Sequence, residues 1–181
     1  MAYSGSGTQQ DPYIVDNWAD FLTVANLNTN NSQNYVKWAD KENPEEKIVS
    51  AITLSSPRTM LFRLKQVDFN GWTFQKISTT FSYGSESYIF YEASDCEIYN
   101  WHVLLWDIKD SQCKMFQSAF TNIYNCYFDS IQCGQLSNTS EYWSNSAGYV
   151  TWQLLANGVW HQCIIRTDTT NKAMIVPKGH F

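Results

Sequence analysis

Four short stretches of the chain put apolar residues at the same two positions, with a turn-prone residue between them. They read VDFNGWTF (67–74), CEIYNWHV (96–103), TNIYNCYF (121–128) and NGVWHQCI (157–164). The third position holds Phe69, Ile98, Ile123 and Val159; the eighth holds Phe74, Val103, Phe128 and Ile164. Ile98 and Val103 are five residues apart, so they cannot share a face of one straight strand, where facing residues are separated by even numbers. The fifth position carries Gly71, Asn100, Asn125 and His161. Glycine reaches positive φ without steric cost, and Asn and His are enriched among the other residues found there. A one-residue bend at that position restarts the alternation and turns both apolar residues inward. These four residues are therefore predicted corners.

Each corner is preceded by a further apolar run: MLFRL, YIFYE, CKMFQSAF and VTWQLL. The third-position residues are 29, 25 and 36 residues apart, a spacing that suits a solenoid whose loops vary in length. Strand-forming residues and single-residue corners make that solenoid a parallel β-helix of about four rungs. The polar, Gly/Ser-rich segment 133–149 is expected to leave it as an extruded loop. An antiparallel β-sandwich also gives many short strands, but it calls for two-residue hairpin turns between them. The Asn-Gly pairs at 70–71 and 157–158 fall inside the repeat motif instead.

Ahead of the repeats the period changes. In DNWADFLTVANLN, Trp18, Phe21, Leu22 and Ala25 lie on one helical face, and Asp16 stands where an N-cap belongs. The expected organisation is an N-terminal arm with a short capping helix over 1–46 and the β-helix over 47–181. The fold class expected is all-β with one helix.

Charge and composition narrow the partners. Only 16% of the 181 residues are charged, against about 25% in typical domains, and another 16% are aromatic. A surface built from Asn, Ser, Thr, Gln and Tyr suits extended structure. The net charge of −5 speaks against nucleic acid, whose phosphates need clustered Lys and Arg. No run approaches the roughly 18 apolar residues of a membrane helix, and MAYSGSGTQQDPY lacks the basic start and apolar centre of a signal peptide. The five cysteines, at 96, 113, 126, 133 and 163, are odd in number and contain no Cys-x-x-Cys, which reads as buried thiols folded in a reducing compartment.

Candidate chemistry is thin. Glycoside hydrolysis needs two carboxylates across a cleft, and no column of the repeat is acidic. Asp107 and Asp110 read as turn residues between units. His161 and Cys163 share strand parity but lack the second ligand pair of a zinc site. No catalytic residue, metal or cofactor is expected. The aromatic residues Tyr142, Trp143 and Tyr149, set among Ser, Asn and Gly in the 133–149 loop, form the candidate contact surface. The apolar Ala173, Met174, Ile175 and Val176 form a candidate end-cap or oligomer contact, because an open β-helix end leaves core and strand edges uncovered.

The stretch GSGTQQDPYIV (5–15) followed by a short helix, together with the rung MFQSAFTNIYNCYF (115–128), resembles right-handed parallel β-helices of bacterial surface and bacteriophage virion proteins. The resemblance implies a right-handed, pectate-lyase-like coil with the helix shielding its first rung, and homotrimers packed side by side. It transfers no catalytic residue. Free thiols and the missing export signal favour the virion branch: a non-enzymatic structural protein assembled in the host cytoplasm, as a capsid decoration, head fibre, or tail or baseplate appendage. Its expected partners are other copies of itself, other virion proteins and host cell-surface carbohydrate, with no membrane insertion. The competing expectations are a polysaccharide-cleaving β-helix, either lyase or hydrolase, and a carbohydrate-binding surface module.

Overall fold

The structure is a computed structural model that describes residues 3–27, 34–54, 60–61, 64–79, 87–91, 96–108, 113–116, 122–133 and 160–167. β1 (Tyr13–Val15) leads into α1 (Trp18–Ala25) and β2 (Asn34–Trp38). A 3₁₀ turn at Pro44–Lys47 precedes β3 (Ile48–Val49), β4 (Ile52–Leu54) and β5 (Met60–Leu61). Next come β6 (Leu64–Asp68), β7 (Thr73–Phe74), β8 (Ile77–Thr79) and β9 (Ser87–Tyr91). They are followed by β10 (Glu97–Tyr99), β11 (His102–Val103), β12 (Trp106–Ile108) and β13 (Cys113–Phe116). The last described strands are β14 (Asn122–Tyr124), β15 (Tyr127–Cys133), β16 (Trp160–His161) and β17 (Ile164–Thr167).

These strands form three sheets among the described residues, and every strand pairing within them is parallel. The first sheet runs β1-β2-β6-β10-β14-β16, the second gathers β3, β7, β11, β15 and β17 with β4, β8 and β12, and the third runs β5-β9-β13. From β2 to β13 the chain visits the first sheet once, the second twice and the third once, and then begins again. β15 is long enough to pair with β11 through Tyr127 and Phe128 and with β12 through Ile131 to Cys133. The architecture is all-β and parallel, with one α-helix. An antiparallel sandwich is incompatible with it. The one isolated antiparallel bridge among the described residues joins Ser4 to Ile14 at the outer edge of β1 and adds no named strand.

The ladder begins earlier than residue 47, the boundary expected from the sequence. β2 pairs with β6 over Tyr35↔Gln66, Val36↔Val67 and Lys37↔Asp68, and β1 pairs with β2. The first sheet is thus six described strands deep. The alternating run NYVKW carries a strand signal of its own, with Val36 and Trp38 buried, but it sits directly behind an Asn-rich stretch that reads as loop.

The corners hold the expected backbone geometry, with two changes of position. Asn100 and Asn125 have φ of 55° and 50°. In the fourth unit the left-handed residue is Gln162, with φ of 53°, while His161 lies inside β16 opposite Tyr124. The motif there is shifted by one residue because Trp160, rather than Val159, is in register with Ile123. In the first unit Val67, rather than Phe69, pairs with Ile98. Two extra residues widen that corner: Asn70 and Gly71 both have positive φ, 52° and 76°, and Trp72 N–H closes the turn on the Phe69 carbonyl at 2.9 Å. Successive positive φ values are the mark of a type I′ turn, which Asn-Gly favours.

Side chains tie the corners together. Asp68 Oδ1 accepts from the Asn70 backbone N–H at 2.8 Å and from Asn100 Nδ2 at 2.9 Å; Asn100 Oδ1 in turn accepts from Asn125 Nδ2 at 2.7 Å. The backbone bonds continue through the bends, with Asn100 N–H donating to Tyr124 O and Gly71 N–H to Asn100 O, each at 3.0 Å. Asparagine therefore does two jobs at a corner. It tolerates the left-handed backbone, and it extends a hydrogen-bonded amide ladder that starts on a carboxylate.

Inside, the core is aromatic. Trp38 stacks on Phe69 at 5.8 Å, and Phe69 lies nearly parallel to Trp101 at 4.4 Å and 8°. Trp72 packs instead beside Trp38 at 4.9 Å, with its indole N–H donating to Ala39 O. Helix α1 closes this column from the N-terminal side, since Phe21 meets both Trp38 and Phe69 and Trp18 meets Phe74 edge-on. Its N-cap is Asn17 rather than Asp16: Asn17 Oδ1 accepts from Asp20 N–H at 2.9 Å, and Asn17 Nδ2 donates back to Asp20 Oδ2 at 2.7 Å. That reciprocal pair needs the residue immediately before the helix, which Asp16 is not. Ahead of β1 the chain folds back so that Ser4 and Ile14 exchange both backbone bonds, blunting the outer edge of β1. Gly5 has φ of 90° there, and a Cβ would lie 2.0 Å from the Pro12 carbonyl oxygen.

Replacing Asn100 with Ala should lower the unfolding free energy by about 2 kcal/mol, through left-handed strain and loss of the amide ladder. Asn100→Gly, which keeps the backbone geometry and loses only the ladder, should cost about half as much. Urea midpoints measure both; equal losses for the two variants would refute the backbone half of this account.

Candidate functional site

The corner edge of the first sheet collects the polar chemistry of the described chain. The fourth position of the second and third motifs is Tyr, and register places Asp68, Tyr99, Tyr124 and His161 in one row. The rings of Tyr99 and Tyr124 stack at 4.6 Å and 7°. Tyr99 OH donates to Glu97 Oε2 at 3.0 Å. Burial first, and then the bond to Glu97 and its charge, push the Tyr99 phenol up to about 12. Parallel rings in a ladder give their faces to each other and leave edges and hydroxyls to solvent. This row is poorly shaped to stack on a sugar ring, although its hydroxyl and carboxylate groups can form hydrogen bonds to one.

A second group lies on the next sheet. His102 is opposite Tyr127 across the β11–β15 pair and meets its ring edge-on at 6.4 Å, and Tyr127 OH donates to Asp129 Oδ2 at 2.7 Å. Burial lowers the His102 pKa, keeping the imidazole neutral. Near the first corner, Lys47 Nζ bonds Asp40 Oδ1 at 2.8 Å and the Asn70 carbonyl at 3.3 Å. The exposed Asp40 carboxylate is held below its usual range by that ammonium group.

Asp68, Glu97 and Asp129 therefore each serve a neighbour in their own or the adjacent circuit. Asp68 completes the corner ladder, and the other two receive tyrosine hydroxyls two residues away. None is presented as a free pair across a cleft with another. Among the described residues, no group of three or more His, Cys, Asp or Glu is arranged to hold a metal ion. Cys96 and Cys126 are buried free thiols, and burial raises both well above the ordinary thiol range, which makes them poor nucleophiles toward reagents in solution.

Of the residues singled out from the sequence, Asn100 and Asn125 come together through their amides, while Gly71 and His161 flank the ladder. Tyr142, Trp143 and Tyr149 of the loop, and Ala173, Met174, Ile175 and Val176, lie outside the described residues. Sequence reasoning did not find Asp68 as the ladder's first acceptor or the Tyr99–Tyr124 stack. The second was visible in the repeated Ile-Tyr-Asn of both motifs; the first needed the register, because Asp68 and Asn100 are 32 residues apart.

No family model matches the chain, and no curated protein or solved structure matches it.

The His102 environment sets a pH dependence. An unfolded histidine titrates near about 6.5, and in the folded chain the value lies lower, so below that pH the unfolded state binds the extra proton first. Stability should fall as the pH drops from about 7.5 to about 5.5, and His102→Gln should lose less over that interval than the parent. Urea midpoints at the two pH values test this; identical losses would remove His102 from the account.

Proposed function

We propose that the repeated circuit is a right-handed parallel β-helix, and that the chain is a non-enzymatic structural component of a bacteriophage virion. In this reading it is a capsid decoration, head fibre, or tail or baseplate appendage that contributes to particle assembly and to contact with host carbohydrate. It assembles in the host cytoplasm as a homotrimer.

One observation carries the reading: Asp68, Glu97 and Asp129 are engaged in bonds that hold one circuit to itself or to the next. A polysaccharide-cleaving β-helix instead needs acids or bases facing substrate. Three further features support it. Buried, unpaired thiols suit a chain that folds in a reducing compartment. No helix among the described residues is long and apolar enough to cross a membrane. Ile48 and Leu104 are about two-fifths exposed, on and beside the second sheet, and supply apolar contacts for copies packed side by side.

Two measurements test the proposal. Light scattering of the purified chain should give the mass of three copies, and Leu104→Asp or Ile48→Asp should shift it toward one copy while leaving the β-sheet circular dichroism unchanged. Incubation with host wall and capsule polysaccharides should release neither reducing ends nor unsaturated products. Sustained turnover that Glu97→Gln or Asp129→Asn abolishes would replace the structural reading with the enzymatic one.

A further inference from the structure

The ring column of the core changes character at its C-terminal end. Trp38, Phe69 and Trp101 stack one above another, and the next residue over Trp101 is Cys126, whose sulfur accepts the Trp101 backbone N–H at 3.4 Å. The register is fixed on both sides of Cys126: Tyr124 is opposite His161, and Tyr127 is opposite Ile164. Cys163 is therefore directly above Cys126. The thiols crowd the same pocket, with Cys126 Sγ donating to Tyr124 O at 3.3 Å and Cys163 Sγ to Ile123 O at 3.5 Å, the carbonyls of two consecutive residues. Adjacent strands run about 4.8 Å apart, which falls within the Cα separation of about 4.4–6.8 Å that a disulfide spans. Cys96, the other cysteine with a described side chain, bonds the Glu97 carbonyl and is in neither position.

We propose that Cys126 and Cys163 form a disulfide site, closed by a small disulfide oxidant of the glutathione class, that covalently joins the circuit of β14 and β15 to the circuit of β16 and β17. The two sulfurs are not equivalent. Cys163 is partly exposed, whereas Cys126 is buried at 2% exposure and its thiol is raised by burial. Cys163 reacts first: it loses its proton to solvent, and its thiolate attacks one sulfur of the oxidised glutathione. A Cys163–glutathione bond forms, the glutathione disulfide breaks, and the first glutathione leaves as thiolate. Cys126 then gives up its proton and attacks the Cys163 sulfur, expelling the second glutathione thiolate, and the two released thiolates take up protons. The two protein thiols are oxidised by two electrons, and one oxidised glutathione is reduced to two thiols. The chemistry rests on the register and holds whatever the chain's partners are; only its timing, after release from a reducing cytoplasm, depends on the virion reading.

The full chain is incubated with oxidised glutathione at mildly alkaline pH, alkylated and digested without reduction. The expected result is a cross-linked peptide pair containing Cys126 and Cys163, an intact mass lower by two hydrogen atoms, and a thermal midpoint raised on the order of 10 °C that dithiothreitol reverses. Cys126→Ser should stop at a stable glutathione adduct on Cys163, and Cys163→Ser should leave Cys126 unmodified. A parent protein that retains glutathione on Cys163, links Cys163 to a different cysteine, or reacts at neither thiol would overturn the proposal. The peptide map of the parent decides the matter even if a variant folds poorly.

Discussion

Everything in this fold depends on keeping one circuit in register with the next through a bend that strands alone cannot make. A straight strand alternates its faces, so an apolar residue five positions on would point outward. The left-handed residue between β10 and β11, and its counterparts in the other circuits, resets that alternation and returns Val103 and Phe128 to the interior beneath Ile98 and Ile123. The strain of the left-handed backbone, about 1–2 kcal/mol for an ordinary residue, is relieved by choosing asparagine. The same side chain then bonds the corner before it. Local conformation and long-range register are thus set by the same atoms, which is why the corner residues cannot be exchanged for others that merely turn.

The stacked rings depend on that register. Phe69 and Trp101 lie parallel at 4.4 Å because their circuits are held at strand spacing, and Phe21 of the helix fits against the same column. Trp38 Nε1 is buried without a hydrogen-bond acceptor, an arrangement that costs on the order of 1–3 kcal/mol. Its ring is surrounded by Phe21, Phe69, Trp72 and Phe74. Burying an indole removes about 150–250 Å² from water, worth about 4–6 kcal/mol at about 25 cal/mol per Å², so packing outweighs the lost bond.

The parity of Ile98 and Val103, with an asparagine between them, was enough to expect a parallel, corner-built chain from sequence, and the Trp18 to Ala25 periodicity was enough to expect one helix. The details that escaped were those set by pairing across long separations. Phe69 looks like the partner of Ile98 by hydrophobicity, yet an Asn-Gly turn inserts two residues and hands that place to Val67. His161 has the better left-handed propensity, yet Trp160 pairs with Ile123 and pushes the bend onto Gln162. β2 was hidden because its short alternation follows Asn-rich sequence. Asp68 became meaningful only when the register brought it beneath Asn100; by composition alone it is one scattered acid among many. Column chemistry is written in the sequence, but the offset between columns is decided by backbone bonds that no single segment contains.

The bridge between Ser4 and Ile14 gives the molecule a direction. The bridge occupies the outer edge of the first sheet while helix α1 covers the first layer of rings, so an incoming strand, whether foreign or from another copy, cannot extend that sheet at Ile14. Two copies cannot join first sheet to first sheet through β1. Extension of this sheet from one copy to the next therefore cannot run head to tail, and a filament built by strand addition at β1 is closed off by the chain's own first residues.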